Sequence, residues 1–302
     1  MKILITGGAG FIGSHIADEY VRLGHKVVVV DNLSTGKRKN VNPNAKFYKG
    51  DIKNRAFVYD IMKRERPNAV NHQAALASLR KAVKEPEELV DANITGTMNL
   101  LLAAGKYPIK KFIFASSCSV FGLPKKLPAT ETDPVNPLSP YAFTKLADEG
   151  MIQFYARWTG FNYVIFRYPN VYGPRQNPEG EAGVVPIFVG LMKQGERPGI
   201  FGDGSKTRDY VYVGDVAHAN ALALRKGKNE IIHLGWKKEV SDQVIFNKIE
   251  RVMNTGLSPR YLPFRSWEAK RISQNSNKAK RVLGWTPKVK LDEGIRKTVL
   301  TI

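Results

Sequence analysis

A single cysteine, Cys118, stands among 302 residues. No intramolecular disulfide can form, which suits a reducing cytoplasm. Long apolar runs are equally scarce. The longest, such as Val27 to Val30 and Phe112 to Ala115, fall far short of the roughly 20 residues that a bilayer span needs. The opening Ile3-Leu4-Ile5 is too brief for a secretory signal. A cytoplasmic chain without a membrane segment is therefore expected. Acid is sparse too: 27 Asp and Glu face 47 Lys and Arg, a net charge of +20. A nucleic-acid binder is one reading of that balance. The basic residues are scattered, however. The densest clusters, Lys37-Arg38-Lys39 and Lys63-Arg64-Glu65-Arg66, are short. With no zinc-ligand spacing, no aromatic RNA motif and no basic tail, neither nucleic acid nor metal is expected. The charge reads instead as a soluble surface that draws in anionic metabolites.

The first half alternates short apolar runs with amphipathic stretches. Strands are predicted at 2–6, 26–31, 69–72, 111–116 and 163–168. That alternation predicts a parallel sheet with helices on both faces. After 163–168 comes Pro169-Asn170-Val171-Tyr172-Gly173-Pro174, which reads as a loop. Beyond it the pattern loosens, with helices predicted near 183–194, 215–225 and 241–254. Two units are expected: 1–170 as a cofactor domain and 171–302 as a smaller substrate domain. Segments near 210–235, including a strand at 231–234, are expected to return to the first.

Gly8-Ala9-Gly10-Phe11-Ile12-Gly13 fits G-x-G-x-x-G, and Gly7 adds a second spacing. The motif alone is weak. Here it follows a strand and opens a helix from Ile12 to Arg22, the context it requires. The glycines permit a tight turn and close approach of a pyrophosphate, which the helix N-terminus attracts. The next element agrees. Val27 to Val30 make a buried strand ending in Asp31, about 20 residues on, where a carboxylate takes the ribose hydroxyls. It would repel a 2′-phosphate, so the cofactor is read as NAD. Lys37, Arg38 and Lys39 are the dissent, since they could hold that phosphate. Asp51 and Ile52 follow another short strand, either bordering the adenine or forming a turn. The fold class is thus α/β, a doubly wound parallel sheet of the Rossmann type.

Ser139 and Pro140 open a helix as N-cap and first residue. Tyr141 and Lys145, four apart, project from one face. A tyrosine near pKa 10 beside an ammonium is drawn toward phenolate. It can then exchange a proton with a sugar hydroxyl as hydride moves. An exposed helix pair is the plain alternative. The strand ending Ala115-Ser116-Ser117 argues against it, because it delivers a hydroxyl, Ser117, to the same crevice.

Taken together, these features resemble the extended short-chain dehydrogenase/reductase family, and within it the UDP-glucose 4-epimerase group. Further shared runs are His72-Gln73-Ala74-Ala75, Asn93-Ile94-Thr95-Gly96-Thr97, Arg167 to Pro174, Phe201-Gly202-Asp203-Gly204 and Arg208-Asp209-Tyr210-Val211. The likeness covers nearly the whole chain. It implies a catalytic Ser117, Tyr141 and Lys145. It implies NAD contacts from Gly7, Gly10, Phe11, Ile12, Asp31, Asn32, Asp51, Ile52, Ala74, Tyr141 and Lys145. Ser117, Tyr141, Asn170, Arg208 and Arg265 would hold a nucleotide-sugar substrate. A homodimer is implied through the helices that carry Asn93 and Tyr141. His72, Asp209 and Asp215 read as structural.

The chain departs from the resemblance at Phe121, at Ser266-Trp267-Glu268 and at Asn275, and Trp267 is placed at the mouth of the sugar site. Three functions compete. A 4-epimerase would invert C4 of a UDP-sugar, glucose, galactose or their N-acetyl forms, through a 4-keto intermediate. A 4,6-dehydratase or decarboxylase would need a carboxylic acid where Cys118-Ser119 stand. A non-catalytic NAD-binding regulator would have no use for Ser117, Tyr141 and Lys145. Cys118 itself is expected to line the pocket without moving protons.

Overall fold

The computed structural model describes residues 1–77, 85–178, 183–265 and 269–302. Strands β1 (Lys2–Thr6), β2 (Lys26–Asp31), β3 (Lys46–Lys49), β4 (Ala69–His72), β5 (Lys111–Ser117) and β6 (Asn162–Tyr168) come first. They are followed by β7 (Asn170–Tyr172), β8 (Gly199–Phe201), β9 (Thr207–Arg208), β10 (Tyr210–Tyr212), β11 (Glu230–His233), β12 (Val240–Ser241) and β13 (Arg260–Leu262). The first helices are α1 (Phe11–Arg22), α2 (Arg55–Glu65) and α3 (Pro86–Val90). A π-helical turn, Asp91–Thr95, then joins α3 to α4 (Gly96–Lys106). Then come α5 (Pro140–Thr159), α6 (Val184–Lys193), α7 (Val213–Ala223), α8 (Asp242–Met253), α9 (Asn277–Leu283) and α10 (Leu291–Val299).

Seven strands make one sheet in the order β11-β6-β5-β4-β1-β2-β3. Every neighbouring pair in it is parallel. Parallel strands are covered on both faces, so their sequences run apolar rather than alternating. Val27, Val28, Val29 and Val30 of β2 are all buried. One face packs Ile3, Ile5 and Val29 on Ile16 and Tyr20 of α1 and Val216 of α7. The other packs Leu4, Val28 and Phe112 on Ile61 of α2, Leu100 of α4 and Ile152 of α5. Chain order reverses between β1 and β4, which opens a crevice at the carboxyl ends of the strands.

The strand expected near 231–234 is β11, which pairs with β6. The expected loop at 169–174 differs. Asn170–Tyr172 extends as β7 and pairs in parallel with Tyr210–Tyr212. Pro169 and Pro174 bracket this strand without entering it, so its backbone amides remain free to pair. The later elements close on a core of their own, with Phe188, Phe246, Ile249 and Ile295 at its centre. Among the described residues, no helix is long and apolar enough to cross a membrane.

Candidate active site

A cleft of about 460 Å³ lies over the carboxyl ends of β1, β2, β4, β5 and β6. Its size is that of a ligand site. At its floor the glycine turn comes close to neighbouring backbone. Gly7 has φ +71°, and a Cβ there would meet Ala74 N at 2.7 Å. A Cβ on Gly13 would meet Gly7 O at 2.2 Å. Only glycine allows this packing of strand, turn and helix, and it leaves a cradle where backbone can touch a pyrophosphate. The residues present therefore fit a dinucleotide.

Asp31 ends β2, and its carboxylate is anchored from two sides. Oδ2 accepts the N–H of Ala9 at 3.0 Å, and Oδ1 accepts the N–H of Leu33 at 2.8 Å. Asn32 Nδ2 donates to Asp51 Oδ2 at 3.0 Å, so these two cleft residues brace each other. The basic run points elsewhere. Arg38 lies 4.5 Å over the Phe47 ring, and none of residues 37–39 lines the cleft.

On the other side, Ser139 Oγ accepts the N–H of Ala142 at 3.1 Å and Pro140 begins α5. This cap fixes the first turn of the helix and hence Tyr141. Lys145 follows one turn later, buried, with its Nζ 5.8 Å from the Tyr141 ring centroid and 4.6 Å from that of Phe114. Burial lowers the Lys145 pKa, while Asp148 and Glu149 oppose that shift. Ser117 ends β5 and caps the short turn Cys118–Phe121, its Oγ accepting the N–H of Ser119 at 3.1 Å. Ser117, Tyr141 and Lys145 all line the one cleft. A hydroxyl, a phenol and an ammonium thus meet beside the dinucleotide cradle, a set suited to proton exchange at a hydroxyl next to a hydride acceptor.

His72 is structural, as expected. Thr97 Oγ1 donates to Asn93 O at 2.6 Å, so it accepts from His72 Nε2 at 2.9 Å. His72 Nδ1 then accepts from Thr6 Oγ1 at 2.7 Å. Burial holds the ring neutral, its pKa pushed down to about 3. Asn93 clamps the strand-end loop through Leu76 N and O at 2.8 and 3.0 Å and reaches Thr144 Oγ1 at 2.9 Å. Asp209 and Asp215 also organise backbone. Asp209 accepts three amide N–H groups, from Trp236, Lys237 and Gln274. Asp215 Oδ2 accepts those of Lys288 and Val289.

The family model for NAD-dependent epimerases and dehydratases matches residues 3–235. The chain belongs to that family. NAD is its cofactor, consistent with the cradle and the anchored Asp31. A putative UDP-glucose 4-epimerase of Methanocaldococcus jannaschii is 45% identical over 98% of this chain and 97% of its own. The UDP-glucose 4-epimerase of Thermotoga maritima, solved with UDP-glucose, superposes with a TM-score of 0.96. It is 44% identical, covering 100% of this chain and 98% of that one. The Thermus thermophilus enzyme, solved with NAD, gives 0.94 at 39% identity, covering 100% and 98%.

Gly7, Gly10, Phe11, Ile12, Asp31, Asn32, Asp51, Ile52, Ala74 and Asn170 all line the cleft. Arg208 and Arg265 do not. Arg208 Nη1 donates to Thr207 O at 2.8 Å, and the Arg265 guanidinium lies 3.5 Å over the Phe201 ring. Trp267 is outside the described residues. Cys118 corrects its expectation: it is not on the cleft wall but packs against Ala269 and Ile272. Ser117 lines the cleft at the strand end, whereas Cys118 opens the short turn that follows and is buried. Sequence reasoning passed over Tyr168 and Gln73, which line the cleft. Tyr168 Oη accepts from Asn220 Nδ2 at 2.8 Å. The runs Arg167 to Pro174 and His72-Gln73-Ala74-Ala75 were their available signals.

Proposed function

We propose that this enzyme inverts C4 of a UDP-sugar, glucose to galactose and back, and works in the cytoplasm as a homodimer. The observation that carries the reading is the meeting of Ser117, Tyr141 and Lys145 at the dinucleotide cradle. Tyr141 takes the proton of the sugar 4-hydroxyl and later returns it. Ser117 Oγ hydrogen-bonds the same oxygen and holds the 4-keto sugar between the two halves of the cycle. Lys145 supplies the positive charge that favours the Tyr141 phenolate. The glycine cradle and Asp31 would hold NAD, which would supply reversible hydride transfer at C4. Asn170 holds the sugar nucleotide, and Arg208 and Arg265 clamp its diphosphate.

A dehydratase needs a carboxylic acid and a base near C5 and C6. Cys118 and Ser119 offer no carboxyl group, and the Cys118 thiol is buried. For the dimer, α5 carries an exposed stripe of Phe143, Phe154 and Trp158, the last 70% exposed. Gly150, between them, has open space at its Cβ position. An apolar stripe of this kind marks a protein contact. The test is to incubate the enzyme with UDP-glucose, UDP-galactose and their N-acetyl forms, then separate the products. Interconversion at C4 is expected. Loss of water from the sugar, or no turnover of any of the four, would overturn the reading.

A further inference from the structure

Four ionisable side chains are buried together under the catalytic helix: Lys145, Asp148 and Glu149 of α5 and Arg167 of β6. Two of them close on each other. Arg167 donates to Glu149 Oε1 at 3.0 Å and Oε2 at 2.7 Å. Ser116 Oγ also donates to Glu149 Oε1, so that carboxylate is fully engaged.

Lys145 and Asp148 stand beside that pair. They lie three residues apart on one helical face, so their side chains neighbour each other. Asp148 is 0% exposed, and neither of its oxygens has a hydrogen-bond partner. Its neighbour Thr97, whose hydroxyl is engaged with Asn93 O and His72 Nε2, favours the charged form of Asp148 less than Lys145 does. Among the described residues, no other charge faces the pair from the packed elements. From α4 and the π-helical turn before it come Thr97 and Asn93, neither titratable; from β5, Phe114 and Ser116. His72 of β4 is held neutral, and Arg167 of β6 is neutralised by Glu149. On α5 itself, Glu149 acts on both members, favouring the Lys145 ammonium and opposing the Asp148 carboxylate, and Tyr141 is the remaining titratable group.

A lone buried carboxyl is a costly residue to keep. We propose that Asp148 is the positioning residue for Lys145: its carboxylate is the buried counter-charge that keeps the ammonium charged beside Tyr141. Burial acts against both charges, raising the Asp148 pKa and lowering that of Lys145, and each partner's charge opposes the other's shift. Asp148 thus sets the alkaline end of the pH range in which Lys145 can favour the Tyr141 phenolate. The inference rests on the proposed roles of Tyr141 and Lys145.

The experiment compares wild type with Asp148→Asn and Asp148→Ser. The pH profile of kcat is one readout. The other is ultraviolet titration of tyrosinate, with Tyr141→Phe subtracted, which needs no turnover. Removing a neighbouring opposite charge moves a pKa by about one unit or more. Both variants should lose Lys145 charge at lower pH. The alkaline limb of kcat should move about one unit toward acid, with KM nearly unchanged, and the Tyr141 phenolate signal should weaken near pH 8. Unmoved profiles and an unmoved titration, with a higher Tm, would overturn the proposal, for Asp148 would then be only a buried burden. If wild type fails to epimerise, the function reading falls, while the tyrosinate titration still decides the role of Asp148.

Discussion

Asp31 Oδ2 accepts the main-chain N–H of Ala9 at 3.0 Å, which ties the end of β2 to the glycine turn on the neighbouring strand. A second amide, Leu33 N, holds Oδ1 at 2.8 Å. A carboxylate has about four lone-pair sites, so both oxygens keep acceptor capacity toward the cleft. The carboxylate is aimed before any ligand arrives.

NAD should therefore bind more tightly than NADP. A hydrogen bond to a charged group is worth about 1.5–3 kcal/mol, so Asp31→Ala should weaken NAD binding by roughly 10- to 100-fold. Titration of cofactor-free protein with each nucleotide checks both points. Equal affinities in wild type would mean that Lys37, Arg38 or Lys39 reaches the 2′-phosphate despite the seat of Arg38 on Phe47.

Tyr141→Phe removes one oxygen and leaves the ring and the helix cap in place. Turnover should drop by about 10²–10⁴-fold, the usual worth of a general acid–base group. UDP-sugar affinity should stay within a few fold, as measured by calorimetry. Half-normal turnover in this variant would end the assigned role.

Arg208 and Arg265 stand off the cleft wall, so their contribution should appear only when substrate binds. Either residue changed to Ala should raise the UDP-glucose Kd by about 10- to 100-fold, the loss of one charge-assisted contact of about 1.5–3 kcal/mol. NAD affinity should not move. Unchanged substrate affinity in both variants would dismiss the clamp.

How much was legible in the sequence depended on how local each determinant was. The glycine turn, the four valines of β2 with Asp31, and the Tyr141–Lys145 pair each lie within one element and its flank, so spacing was enough to place them. The β7 strand was missed because its partner, Tyr210–Tyr212, lies some forty positions on, and prolines flank it. Arg167 and Glu149 meet only because β6 runs under α5, and no spacing joins them. The facing of Cys118 was hidden for the same reason: its neighbours Ala269 and Ile272 come from the far end of the chain.

His72 makes stability depend on pH. Its pKa is about 3 when folded and about 6.5 when unfolded. Below 6.5 the unfolded chain takes up a proton that the folded chain refuses, so stability falls as pH falls, by about 1.4 kcal/mol per unit, until pH nears 3. Above 6.5 the contribution is fully present. His72→Gln cannot gain that charge. The Tm gap between wild type and variant should narrow from pH 7.5 to pH 5, by an equivalent of about 2 kcal/mol. A gap of constant size would show that the ring is not held neutral.

Cys118 sits next to Ser117 in sequence, and of the two only Ser117 lines the cleft. Burial pushes the thiol up to about 11, with Ala269 and Ile272 packed on it. A thiol so placed holds its proton at working pH and cannot pass it to a sugar carbon across the cleft. Cys118→Ser should keep most of the turnover, since Ser117, Tyr141 and Lys145 are untouched. It should lower stability by about 1–3 kcal/mol, because a hydroxyl replaces a weakly polar thiol among apolar neighbours. Turnover in deuterated water decides the chemistry. Proton exchange confined to oxygen leaves sugar carbons unlabelled. Deuterium at C3 or C5, together with a large loss of turnover in Cys118→Ser, would make the thiol an acid–base group and replace C4 oxidation with epimerisation beside a carbonyl.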